Sequence, residues 1–369
     1  MNNLKPFDPL FSPKDVNEIL KKFKGVLETG SYTMGKYSLL LEEEIKKWHP
    51  GILNATLLSS GTSALECVFE HLKEKSVYKV GVQSNTNFAT VSSIIRAGLV
   101  PVFIDCDYNG QICFNDLQDK YKLHSLDAIA MVHIGGYITN QYVEIIDYCN
   151  KNSLYLVEDS AHAHGSSMDG IEIGSKSFAA ILSFFPTKVV NGSEGGAILT
   201  NNEDLINYAK AWRNQGKIGQ IYGNDHHVLG GSNRMPEVNC IVALQSFLRL
   251  DDEINERNKI STYLIKEVPQ INFFHFEHMK RFSNYKLIAR KSGIGGGEVE
   301  SILKEAGIFC GGAVYRKPCH SQPVFKDYTI GTENLIGTDD FCKEHFCLPI
   351  HSNITKSQID HMVTELRAL

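Results

Sequence analysis

Leu154-Tyr155-Leu156-Val157-Glu158-Asp159-Ser160-Ala161-His162-Ala163-His164-Gly165 decides the reading of this chain. A short apolar run, Leu154–Glu158, reads as a buried strand, and it delivers a carboxylate into a run of small residues. In open α/β sheets ligands bind at the carboxyl ends of strands, where Asp159 stands. Two readings of Asp159 follow: a carboxylate that holds a protonated ring nitrogen, or a cap on the next segment. His162 and His164 beside two acids raise a metal site, but no third ligand is evident nearby, so no metal is expected.

On either side the same pattern recurs. Thr56–Ser59, Lys79–Gln83, Pro101–Ile104 and Ala128–His133 read as strands before it, and Ala179–Phe184 and Gly196–Thr200 as strands after it. Helical patterns lie among them at Ser63–Leu72, Ala89–Ala97, Tyr142–Asn150 and Glu203–Trp212. Alternation of this kind builds βαβ units and a mostly parallel sheet covered by helices. Upstream, Val16, Ile19, Leu20, Phe23 and Val26 fall at helical spacing within residues 13–27. A long helical stretch is expected over residues 237–265, followed by mixed short elements. The expected organisation is a large α/β domain over residues 1–235 and a small C-terminal α+β domain over 236–369. The first ~40 residues are expected to pack on the small domain or on a partner subunit.

The chain has 369 residues, 43% of them hydrophobic and 21% charged, an ordinary globular balance with a long enough chain for a large core. A net charge of −5 without a basic run argues against a nucleic-acid partner. No apolar stretch approaches the ~20 residues that span a bilayer, so no membrane association is expected. The opening residues lack a signal-peptide layout, and the nine scattered cysteines form no C-x-x-C pair. A cytoplasmic location with reduced thiols is expected.

Two further clusters fall at strand ends. Ser59-Ser60-Gly61-Thr62-Ser63-Ala64 joins a strand to a helix, where free N–H groups favour an anion such as a phosphate. Steric reasons alone also explain such a turn. Ser183-Phe184-Phe185-Pro186-Thr187-Lys188, followed by Asn191-Gly192-Ser193-Glu194-Gly195-Gly196, places a lysine at the end of an apolar run. Desolvation there would free its amine for Schiff-base chemistry, whereas most lysines are simply surface charges.

Order and spacing join these clusters. The chain resembles the DegT–StrS-type sugar aminotransferases, pyridoxal-phosphate enzymes of the aspartate-aminotransferase fold (fold type I). The resemblance spans Gly35 and Glu42, Ser60–Leu65, Pro101–Asp105, Glu158-Asp159-x-Ala161-His162, Ser183-Phe184-x-x-Thr187-Lys188 and Glu194-Gly195-Gly196. It continues through Asn233-Arg234-Met235-x-Glu237, Tyr315-x-x-Pro318-x-His320 and Leu348-Pro349. It implies a seven-stranded-type, mostly parallel sheet between helices, and pyridoxal 5′-phosphate as cofactor. By the same resemblance Lys188 carries the cofactor and moves the proton, and Asp159 pairs with the pyridine nitrogen, the two catalytic assignments. His162 stands near the ring hydroxyl, and Gly61, Thr62 and Ser183 match phosphate-holding positions. Tyr32, Tyr315 and His320 match the substrate mouth.

Two positions depart from the family pattern. Asn87 occupies the place where an aromatic residue stacks on the cofactor, and Phe88 is shifted by one. Phe88 then either stacks through a changed turn or packs in the core with Val91 and Ile95, the latter being favoured by its helical spacing. Ser232 stands where an Asn reaches the neighbouring subunit's phosphate, unless one residue is deleted and Asn233 takes that role.

The implied reaction moves an amino group from an amino acid, L-glutamate by resemblance, to a keto sugar, most often nucleotide-linked, within polysaccharide or other sugar biosynthesis. A homodimer with shared sites is implied. Rival readings are an aminotransferase for small keto or aldehyde phosphates, and a sugar dehydratase, in which histidine replaces the lysine. A nicotinamide dehydrogenase would rest on Gly293-Ile294-Gly295-Gly296-Gly297. A non-catalytic binding protein on the same scaffold is the last alternative.

Overall fold

A computed structural model describes residues 3–8, 11–218, 225–274 and 276–369. The first half runs α1 (Pro13–Thr29), α2 (Lys36–Trp48), β1 (Asn54–Leu58), α3 (Gly61–Glu74), β2 (Lys79–Gln83), α4 (Phe88–Arg96), β3 (Val100–Ile104), α5 (Phe114–His124), β4 (Ala128–Val132), α6 (Tyr142–Lys151) and β5 (Tyr155–Asp159). Then come β6 (Ser167–Met168), β7 (Ile171–Glu172), β8 (Ala179–Ser183), β9 (Gly196–Thr200), α7 (Glu203–Trp212), α8 (Glu237–Phe247) and α9 (Leu250–Glu267). The chain closes with β10 (Asn272–Phe273), β11 (Met279–Arg281), β12 (Leu287–Arg290), α10 (Gly296–Glu305), α11 (Ile336–Glu344), β13 (His345–Leu348) and α12 (Lys356–Ala368).

Seven strands form the central sheet in the order β1-β9-β8-β5-β4-β2-β3. From β8 through β5, β4 and β2 to β3 every pairing is parallel, while β9 runs antiparallel to both its neighbours. Successive side chains point to opposite faces of a strand. Leu156 therefore enters the apolar layer that contains Ile45, Tyr142 and Phe247, and Val157 enters the layer that contains Phe69, Val91 and Trp212. Both faces are covered, which is why the strands read as unbroken apolar runs.

Local signals set the helix starts. At α1, Ser12 and Asp15 satisfy each other's backbone N–H and Pro13 opens the helix, while Gly30 ends it at φ +69°. At α3, Ser60 and Ser63 form the same reciprocal box. The structure adds two helices that the periodicity did not announce, α2 and α5, and breaks the expected stretch 237–265 into α8 and α9 around Leu248 and Arg249.

Helix α8 lies against α1 and α2, and its Cys240, Ala243 and Phe247 join the first apolar layer with Leu250 and Ile254 of α9. Ile260 and Leu264, later in α9, pack instead with β12, β13, α10 and α12. The chain changes cores within α9. Leu4 belongs to this second core through backbone hydrogen bonds with Gly307 and Phe309, so the opening residues pack on the small domain. β10, β12 and β13 form its antiparallel sheet.

Candidate active site

A cavity of about 280 Å³ opens at the carboxyl ends of the parallel strands. Gly61, Thr62, Asn87, Asp159, His162, Ser183, Lys188 and Tyr315 line it, so the strand-end clusters meet in one place. Leu65, Val132, Ala161 and Ile181 supply apolar walls. A larger hollow of about 480 Å³ lies at the amino ends of β2, β4 and β5, around Lys75, Asp127 and Tyr155, and holds none of the motif residues.

One wall is the amino end of α3. Ser60 Oγ accepts the Ser63 N–H at 3.0 Å, and the N–H groups of Gly61 and Thr62 have no intrahelical acceptor. They offer an anion a positive helix end. Close packing brings this turn over β8 and β9. A Cβ on Gly61 would sit 2.9 Å from Ser183 Cβ, and one on Gly196 would sit 2.4 Å from the Ser60 carbonyl carbon.

Asp159 ends β5 and is buried. Its Oδ2 accepts from Thr90 Oγ1 at 2.7 Å and its Oδ1 from the Ala161 N–H at 3.2 Å. Behind it, Glu158 lies on the other face of the strand, fully buried, where His133 Nε2 is 2.8 Å and the Tyr142 hydroxyl 2.9 Å from its Oε2. This pairing anchors the strand end that presents Asp159.

His162 accepts the Gly135 N–H on Nδ1 at 3.2 Å, which leaves Nε2–H as the ring's donor. Burial, and then the charges of Lys188, Lys286 and His164, hold its pKa well below the histidine range, so the ring is neutral. Burial also lowers the Lys188 pKa. Tyr285 and Asp159 oppose that shift and Lys286 adds to it. The amine lies 4.8 Å from the centroid of the Tyr285 ring.

Several expected residues lie elsewhere. Phe88 does not line the cavity and is not core: it is the first residue of α4, 55% exposed, with its ring stacked on Phe325 at 5.2 Å. Its helical spacing with Val91 holds, but the first turn stands clear of the sheet. Asn87 lines the cavity as the cap of α4, accepting the Ala89 N–H at 2.9 Å and hydrogen bonding to Tyr315. His320 is held away from the cavity, with Nδ1 2.8 Å from Ser84 Oγ and Nε2 3.2 Å from Asp339. Tyr32 is exposed, and its carbonyl accepts the Glu237 N–H.

Ser232 and Asn233 also lie outside the cavity of their own chain. Arg234 donates to Ser232 Oγ at 2.7 Å, and the Asn233 carbonyl accepts the Ser59 N–H at 2.8 Å. The glycine-rich 293–297 segment joins β12 to α10, but β12 lies in an antiparallel sheet, so it forms no βαβ nucleotide unit. Among the described residues no cluster of three metal-ligating side chains occurs, and all nine cysteines are free.

Sequence reasoning missed Thr90, Tyr285, Phe185 and Glu194; the last two line the cavity. Thr90 carried a faint signal, a buried hydroxyl on an apolar helix face. Tyr285 carried none, because its approach depends on how the small domain docks.

A fold of this kind with a half-buried lysine, a strand-end carboxylate and a helix amino end in one cavity defines an aminotransferase of fold type I. Residues 13–367 match the DegT/DnrJ/EryC1/StrS aminotransferase family, and the chain belongs to it. It is 28% identical over 351 residues, 92% of this chain and 90% of the relative, to a UDP-4-amino-4,6-dideoxy-N-acetyl-beta-L-altrosamine transaminase of Campylobacter jejuni. It is 25% identical to a dTDP-3-amino-3,4,6-trideoxy-alpha-D-glucose transaminase of Micromonospora megalomicea, covering 95% of this chain and 94% of that one. The solved structure of Helicobacter pylori PseC, an aminotransferase involved in the biosynthesis of pseudoaminic acid, superposes with a TM-score of 0.90 at 22% identity, covering 99% and 98% of the two chains.

Proposed function

We propose that this chain transfers an amino group from an amino acid, L-glutamate by preference, to a nucleotide-linked keto sugar, with pyridoxal 5′-phosphate carried on Lys188. The observation that carries the reading is the convergence of Lys188, Asp159, His162 and the amino end of α3 in one cavity. These groups fit the cofactor: the helix end and Ser183 take its phosphate, Asp159 its ring nitrogen and His162 Nε2–H its ring oxygen, between apolar walls. Bound there, it supplies an electron sink for the donor's α-carbon. Lys188 Nζ, whose pKa burial lowers, is the base that moves the proton at that carbon. Asp159, at the end of β5, holds the ring's proton in place. Asn87 and Tyr315 stand at the cavity wall as groups for the acceptor.

Relatives that aminate UDP- and dTDP-linked sugars favour a nucleotide sugar over a small keto phosphate. The intact Lys188 disfavours the dehydratase reading.

The working unit in this reading is a homodimer whose residues 232–234 complete the partner's site. Its support is apolar surface beside that segment: Leu39 and Leu40 of α2 are exposed, while Gly35, at the start of α2, is bonded to Glu237. Leu20 and Leu27 of α1 are exposed as well. Among the described residues no helix is long and apolar enough to cross a membrane. The test is borohydride reduction of the protein loaded with cofactor, peptide mapping, and a screen of keto sugars with glutamate. Label on Lys188 and its loss in Lys188→Ala are expected; label on a different lysine overturns the assignment.

A further inference from the structure

Tyr285 enters the cavity region from the small domain's side, just ahead of β12, and its segment is fastened to the loops that build the site. The Ser283 N–H donates to Ser166 Oγ at 3.0 Å, and Ser283 Oγ donates to the His162 carbonyl at 2.9 Å. The Lys286 N–H donates to the Gly135 carbonyl at 3.2 Å. From the other side Arg257 Nη1 donates to the Asn284 carbonyl at 3.3 Å, and Asn284 adopts φ +49°. So placed, Tyr285 is 9% exposed, its hydroxyl is 3.0 Å from Thr187 Oγ1, and its ring lies 4.4 Å from that of His162.

The groups around it are mostly cationic. Lys188 Nζ lies 4.8 Å and Lys286 Nζ 5.2 Å from the ring centroid. Arg257 of α9 also acts on the phenol, while Asp159 at the end of β5 acts on Lys188. His162 is neutral. Burial alone would raise the Tyr285 pKa; Lys188, Lys286 and the Thr187 hydrogen bond outweigh it and lower it.

We propose that Tyr285 is a positioning residue for Lys188: its ring face and hydroxyl hold the free amine at the cavity and, with Thr187, set how readily that amine gives up its proton. The proposal rests on Lys188 being the reactive amine. A free lysine hangs on a flexible four-carbon stem. In a reaction that repeatedly releases and recaptures it, something must keep the amine near the reacting centre. A ring face attracts the ammonium and a phenolic oxygen bonds to it, whereas burial favours the neutral amine. These opposed effects leave the lysine held in place yet able to give up its proton. The contrasting role is plain packing between the two domains, which a phenylalanine would fill equally well.

Tyr285→Phe separates the two. In cofactor-free protein, the rate at which acetic anhydride labels Lys188, followed by peptide mass spectrometry across pH, reads the amine's protonation without turnover. The hydroxyl favours protonated Lys188, so its removal moves the labelling midpoint to lower pH. Lys188 is then labelled several-fold faster than in the unaltered protein at a fixed pH below the original midpoint. A midpoint that stays put, or moves to higher pH, overturns the proposal. If borohydride fails to mark Lys188 in the unaltered, cofactor-loaded protein, the functional reading itself falls instead.

Discussion

Thr90 Oγ1 donates to Asp159 Oδ2 at 2.7 Å, joining the helix after β2 to the carboxylate at the end of β5. The Ala161 N–H takes the other oxygen, and Thr86 Oγ1 stands 3.1 Å behind Thr90 Oγ1. The carboxylate is therefore aimed from two sides. Asp159→Asn keeps its shape and removes its charge; turnover should fall by orders of magnitude while the melting temperature moves little. Thr90→Val leaves one carboxylate oxygen short of a donor in a buried site, a loss of about 1–3 kcal/mol, expected mainly as weaker cofactor binding and slower turnover. Near-normal turnover in Asp159→Asn would reduce Asp159 to a cap on Ala161.

Asn87 and Phe88 separate cleanly under mutation. Phe88→Leu removes a half-exposed ring contact with Phe325, worth about 0.5–1.5 kcal/mol, and should leave cofactor affinity unchanged. Asn87→Ala removes the cap of α4, typically about 0.5–2 kcal/mol, and a partner of Tyr315 at the cavity wall. Titration of cofactor into the two apo variants, with thermal melts, tests this. Weakened cofactor binding in Phe88→Leu would return that ring to the site.

Glu237 caps a helix 200 residues away. Gly35, at the start of α2, has no side chain to cap it, and Glu237 instead accepts the N–H groups of Gly35, Tyr37 and Ser38 at 3.0, 2.6 and 2.9 Å. The Ser38 hydroxyl bonds to it as well. Because Glu237 is buried, Glu237→Ala orphans several donors at once and should destabilise the chain by about 3 kcal/mol or more, read by urea unfolding. A loss below about 1 kcal/mol would show that water replaces the carboxylate.

The sheet was legible because its strands are buried on both faces and bounded by turns: Lys79–Gln83 and Gly196–Thr200 stand where their apolar runs lie. Helix α5 was hidden because only Leu117 and Lys120 of it are buried, too few to mark a face. In the site, Asp159 and the α3 turn were legible because they end a strand and start a helix, and Lys188 and His162 because they follow strand ends within a few residues, with motif order linking them all. His320 was misplaced because its link to Ser84 spans 236 residues, and no local pattern encodes such a contact. Tyr285 reaches the site through tertiary packing alone.

His164 provides the clearest pH test. It is buried, and burial, followed by the charges of Lys188 and His49, pushes its pKa down to about 3. His49 is likewise pushed to about 4 by burial. In the unfolded chain both titrate near about 6.5. As pH falls below that value the unfolded state takes up these protons and the folded state does not. Stability is therefore complete above about pH 6.5 and declines as pH falls toward the folded values, at about 1.4 kcal/mol per pH unit for each such group. His164→Leu keeps an apolar side chain beside Phe184, whose ring lies 5.9 Å from the imidazole, and removes one of these titrations. Urea unfolding at pH 7, 6 and 5 should show a loss smaller by about 2 kcal/mol across that range in the variant, most of it between pH 6 and 5, with similar stability at pH 7. Parallel slopes in the two proteins would mean that His164 takes up its proton without unfolding, through an opening of the segment after β5 that gives it water.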